Sequence, residues 1–133
     1  MKRTLTFKLS MLSGGIILAA SGILVLAPSA SAGTPQCLSG IADRQFELAQ
    51  LHSNSVNGAS GGSMASAAYD LANYVAVTQG TCPEEAGDAF WAARHSLEQA
   101  GDLHSSWQRE AAMVAEDSAR YQLIEADDLS RSH

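Results

Sequence analysis

Cys37 and Cys82 are the only cysteines in the sequence, and one bridge between them constrains the fold more than any other feature. Their spacing is far from C-x-x-C, so it suggests neither a redox motif nor a zinc knuckle. Whether they pair depends on the compartment, because disulfides persist where the surroundings are oxidising. That question turns on the N-terminus.

Lys2, Arg3 and Lys8 form a positive start, and Leu9 to Ala27 is a run of 19 residues without a charge. Pro28 breaks the run, and Ala30-Ser31-Ala32 supplies the small residues that signal peptidase accepts. This is the pattern of a secretory signal peptide over residues 1–32, cleaved after Ala32, with a mature domain over 33–133. The alternative is an uncleaved anchor that keeps the domain on the membrane, since a run of this length can just span a bilayer. Thr34-Pro35-Gln36 ahead of Cys37 lacks the apolar and small residues of a lipidation site. The expected location is therefore outside the cytoplasm, secreted or periplasmic, with Cys37 bonded to Cys82. A bridge over such a loop is worth about 4 kcal/mol by loop-closure entropy. That is a large share of the ~5–15 kcal/mol that holds a small domain together.

All 14 acidic residues lie beyond residue 32, against five arginines and no lysine there, a net charge of −9. A surface of that sign opposes binding to nucleic acid or to anionic lipid, both of which need a basic footprint. It suits a basic protein partner or a cation.

The mature part reads as four helices, at about 38–53, 63–79, 82–100 and 103–128. In the first, Leu38, Ile41, Ala42, Leu48 and Ala49 share a face with Phe46 at its edge. Asn54 to Gly62 is a Gly/Ser/Asn connection. The second helix starts at Ser63 as N-cap, carries Met64, Ala67, Ala68, Leu71, Tyr74, Val75 and Thr78, and ends at Gly80. Thr81-Cys82-Pro83-Glu84 has the form of a capping box for the third, which buries Ala86, Ala89, Phe90, Ala93 and Leu97. Gly101-Asp102 reads as a helix stop followed by a new N-cap. The fourth then places Leu103, Trp107, Ala111, Val114, Ser118 and Tyr121 on its buried stripe. No strand-like alternation or internal repeat is present. The expected fold is all-α, a small up-down four-helix bundle stapled by Cys37–Cys82, in which the first and third helices begin at the same end.

Motifs that fix a reaction are missing: no HExxH, no P-loop, no G-x-S-x-G, no EF-hand loop and no CxxCH. Two constellations stand out instead. Trp91 and His95, four apart on the third helix, lie away from its Ala86/Phe90/Leu97 stripe and form a candidate partner-binding ridge, because exposed Trp is enriched at binding hot spots. The bland reading is that Trp91 covers a neighbouring helix. Separately, His52 with Glu110 or Asp117 is a candidate cation site, and His52 with Met64 or Met113 a candidate haem or copper site. The bland reading there is a hydrated His52, with Glu110 and Asp117 paired to Arg44, Arg109 or Arg120. No E-x-x-H pair of the di-iron type is present.

The function expected from the sequence is non-enzymatic: an exported acidic helical protein that binds a protein partner, as an inhibitor, chaperone or effector does, with no cofactor. The alternative is a metal- or haem-binding exported bundle.

Overall fold

Thr34 opens the first helix, its hydroxyl accepting from the Cys37 amide at 3.0 Å, with Pro35 in the first turn where its missing N–H costs nothing. The computed structural model of the protein describes residues 34–132; the candidate signal segment and its cleavage site lie outside them. Four α-helices follow in order: α1 (Pro35–Val56), α2 (Gly61–Gln79), α3 (Gly87–Ser105) and α4 (Arg109–Arg131), with a 3₁₀ turn at Glu84–Ala86 leading into α3. The all-α four-helix bundle predicted from the periodicity is what forms. Each helix packs on its neighbours in cyclic order, most closely α3 on α4 and α2 on α3.

The Cys37–Cys82 disulfide closes one end, with a Cα–Cα distance of 5.0 Å over a separation of 45 residues. It ties the first turn of α1 to the segment entering α3, so those two helices begin together, as the up-down order requires. No helix among the described residues is long and apolar enough to cross a membrane.

Eleven of the 21 buried hydrophobic residues described are alanine. The larger side chains are few: Ile41, Leu48, Leu51, Met64, Leu71, Val75, Phe90, Leu97 and Leu123. Small side chains at facing positions let helix axes approach to the short end of the usual ~8–10 Å range. Close approach also appears at Gly101, where an added Cβ would lie 2.7 Å from the Tyr69 ring. The Tyr69 hydroxyl donates to Asp102 beside it, and that bond, with some desolvation, raises the phenol above its ordinary pKa.

Several local expectations are corrected. The connection read as Asn54 to Gly62 shrinks to residues 57–60, because α1 runs on to Val56 and α2 is capped one turn early by Ser60, whose hydroxyl accepts from the Ser63 amide. The capping box at Thr81 does not form. Thr81 Oγ1 donates back to the Thr78 carbonyl at 2.7 Å, and the 3₁₀ turn starts from Pro83 with no side-chain cap.

The third and fourth helices do not part at Gly101-Asp102. α3 continues to Ser105 because Gly101 lies on its buried face under Tyr69, where a helix needs a residue without a side chain. The true stop is a Schellman motif. Gln108 N–H bonds back to the Leu103 carbonyl at 2.9 Å and Trp107 N–H to the His104 carbonyl at 3.1 Å. Its left-handed position, normally glycine, is Trp107 at φ 63°.

The buried face of α4 is also not the predicted one. Ala112, Ala115, Glu116, Ala119, Leu123, Ala126 and Ser130 turn inward. Trp107, Val114 and Tyr121 are 84%, 67% and 63% exposed. Alanine dominates the inward row, with Leu123 its one large apolar residue. In α1 likewise, Ala42, Ala49 and Phe46 are exposed, and the inward face is Cys37, Ile41, Leu48, Leu51 and Ser55. Across the α3–α4 seam the Gln122 amide donates to Ser96 Oγ at 2.8 Å and to the Ala92 carbonyl at 3.0 Å.

Candidate functional site

At the end of the bundle away from the disulfide, α1 delivers His52 and Ser55, α3 delivers His104, and α4 delivers Glu116. Ser55 continues the Leu48/Leu51 face of α1, and His104 continues the Leu97/Ala100 face of α3. Glu116, His104 and Ser55 are buried, and His52 is half-buried. Glu116 Oε1 accepts from His52 Nδ1 at 2.9 Å, while Oε2 accepts from His104 Nε2 and from Ser55 Oγ, both at 2.8 Å. An ionised carboxylate only accepts, so the imidazole tautomers that suit it place a proton on each facing ring nitrogen. Three donors on one buried carboxylate replace the water it has lost.

This grouping is not a hydrolytic triad. A relay needs the hydroxyl on one imidazole nitrogen and the carboxylate on the other. Here Ser55 Oγ, at 3.2 Å, and Glu116 Oε2 crowd the same Nε2 of His104, and Ser55 is fully buried. The cluster acts as a polar plug that ties three helices together.

Above the plug, the α1–α2 connection and the α3–α4 connection border an open cleft of about 640 Å³, with Gly58, Ser60, His104, Trp107, Arg109 and Glu110 among its walls. Gly61 sits at its floor, where an added Cβ would meet the His104 carbonyl at 2.6 Å.

The sequence-derived cation set does not assemble. His52 is bonded to Glu116, Asp117 pairs with Arg120 at 3.6 Å, and Glu110 stands on the cleft rim. Among the described residues no group of three or more His, Cys, Asp or Glu side chains is arranged to hold a metal ion. Met64 is buried on α2 and Met113 half-buried on α4.

Trp91 and His95 are both exposed on α3, with their rings stacked at 5.2 Å between centroids and 4° between planes. The second outward feature, which periodicity assigned to the core, is on α4. At 100° per residue, Ala111, Val114, Ser118 and Tyr121 occupy a sector of about 80° beside the buried face. Between this stripe and α3 runs a groove of about 380 Å³ lined by Gln99, Leu103, Ala111, Val114, Ala115 and Ser118. Comparison of the chain with protein-family models, with curated proteins and with solved structures finds no match in any of the three.

Proposed function

We propose that this protein is an exported, non-enzymatic module that works by binding a partner protein through the outer face of α3 and α4. One observation carries the reading: α4 turns alanines to the core and Val114 and Tyr121 to solvent, with Trp107 exposed just ahead of it. A lone exposed apolar residue is ordinary, but a row of them at helical spacing beside a groove is the form of an interaction surface. Phe46, Tyr74 and Val77 are also exposed on α1 and α2. Small and large residues alternate there too, with Phe46 between the exposed Ala42 and Ala49, and Tyr74 lines a smaller groove of about 280 Å³ with Arg44 5.5 Å from its ring centroid. The stacked Trp91–His95 pair is exposed on the outer face of α3, the helix that walls the groove. Export is supported by the N-terminal signal pattern together with the disulfide.

The test is site-specific photo-crosslinking in the native host, with the crosslinker at Ser118 and a control at Asp43 on α1. The expected result is one defined adduct from Ser118, none from Asp43, and loss of that adduct when Val114 and Tyr121 are changed to serine. Equal crosslinking from both positions, or an adduct indifferent to the serine pair, would refute the α3–α4 face as the binding surface.

A further inference from the structure

Resting on that protein-binding reading, we infer that the α3–α4 groove receives a basic amphipathic helix of the partner, with its apolar side seated between Leu103 and Val114 and its lysines or arginines over the acidic rim that α4 supplies.

The shape argument concerns spacing. Ala111, Val114, Ser118 and Tyr121 follow one another by 3, 4 and 3 residues, small alternating with large. Two small residues flanking a large one, Ala111 and Ser118 about Val114, leave depressions seven residues apart, about 10 Å or two helical turns. A second helix presenting an apolar residue every seven positions fits such a row, as knobs fit holes in helix packing. From Ala111 to Tyr121 the outward stripe is about 15 Å long, some three turns of a partner helix. An extended peptide has no matching repeat, and it would need an open sheet edge that a helical bundle lacks.

The charge argument selects which helix. Glu110, Asp117 and Glu125 border the stripe on α4. Of these only Asp117 forms an ion pair among the described residues, with Arg120. Arg120, held over the Tyr121 ring at 4.7 Å, offsets Asp117 and leaves Glu110 and Glu125 to set the charge of the rim. A second copy of this chain is the wrong occupant. Two such faces would bring like-charged rims together on molecules that each carry −9 over the described residues. An acidic rim along an apolar floor instead draws in lysine and arginine, and it steers the encounter from a distance.

The experiment titrates the disulfide-bonded protein with two designed helices of about 18 residues. They share an apolar leucine face, with lysine on the polar face of one and glutamate on that of the other. A scrambled lysine peptide of the same composition serves as control. The expected result is saturable one-to-one binding of the Leu/Lys helix only. That binding should weaken by about tenfold or more in Ala111→Arg, which fills the groove from an exposed position. It should also weaken about tenfold when salt is raised until the Debye length falls to ~4 Å.

Equal binding of the glutamate helix would overturn the basic partner while leaving the groove as an interaction surface. Binding of the lysine helix that ignores Ala111→Arg, or that the scrambled peptide matches, would overturn the groove. A protein that sediments as a dimer, and as a monomer after Ala111→Arg, would make the occupant a second copy. Binding of neither helix would overturn the inference alone, since crosslinking from Ser118 tests the broader reading separately.

Discussion

Replacing Trp107 with glycine should make the protein more stable, although it deletes the largest exposed side chain on the loop. Trp107 occupies the left-handed position of the α3 Schellman stop at φ 63°. An L-residue with a Cβ sits there at a cost of about 1–2 kcal/mol, which glycine does not incur. Glycine returns part of that gain, roughly 0.5–1 kcal/mol, through the greater freedom of the unfolded chain. The indole is 84% exposed, so its removal forfeits little burial. The net expectation is a gain of about 0.5–1 kcal/mol. At ~4–8 °C per kcal/mol for a domain of this size, that is a rise of a few degrees in Tm. Trp107→Ala is the control, because it removes the same ring and keeps the Cβ. Urea and thermal unfolding of the two variants, with the disulfide intact, isolate the backbone term. The reasoning fails if Trp107→Gly is no more stable than Trp107→Ala. If it holds, a tryptophan stands at a costly and exposed position beside the cleft and the α4 stripe, and its loss should weaken partner binding in both variants alike.

Three further substitutions test the packing. Glu116→Ala leaves His52, His104 and Ser55 facing a void and should cost about 3–5 kcal/mol by urea unfolding, with Glu116→Gln clearly less damaging because the amide oxygen still accepts. Gly101→Ala should destabilise the protein despite alanine's helix propensity, since its Cβ meets the Tyr69 ring; in a Tyr69→Ala background the same change should turn favourable by roughly 0.5–1 kcal/mol. Changing Cys37 and Cys82 to serine should lower stability by about 4 kcal/mol, and hydrogen exchange should then show α1 opening from its Pro35 end while the Ser55 end stays protected.

The stripes of α2 and α3 were largely legible because their large apolar residues do face inward: Met64, Leu71, Val75, Phe90 and Leu97 are all buried. The same rule failed on α4. Periodicity alone cannot tell an inward stripe of large residues from an outward one when a second stripe of alanines runs beside it at the same spacing. The row Ala112, Ala115, Ala119, Ala126 was visible in the sequence, but small residues give little hydrophobic contrast. That rotation hid Glu116, one position from the Asp117 singled out as a candidate. Ser55 and His104 carried a usable signal, each lying seven residues beyond a buried leucine, Leu48 and Leu97. Their polarity argued against burial because the carboxylate that satisfies them comes from a distant helix. Trp107 was unreadable for another reason. Gly101-Asp102 is a stronger stop signal than Ser106-Trp107, and only the Tyr69 ring packed over Gly101 explains why the helix passes through it.

The separation of the two faces of α4 bears on how such a protein can change over time. Ala112, Ala115 and Ala119 hold the helix against its neighbours, while Ala111, Val114, Ser118 and Tyr121 contribute little to that contact. Surface substitutions away from caps and buried networks usually shift stability by less than about 0.5 kcal/mol. The outward positions are therefore free to drift, and a new set of side chains there can be sampled without passing through an unfolded ancestor. Homologues of this chain are expected to keep the alanine row and the buried glutamate while the outer row varies, so that descendants of one scaffold come to recognise different helices.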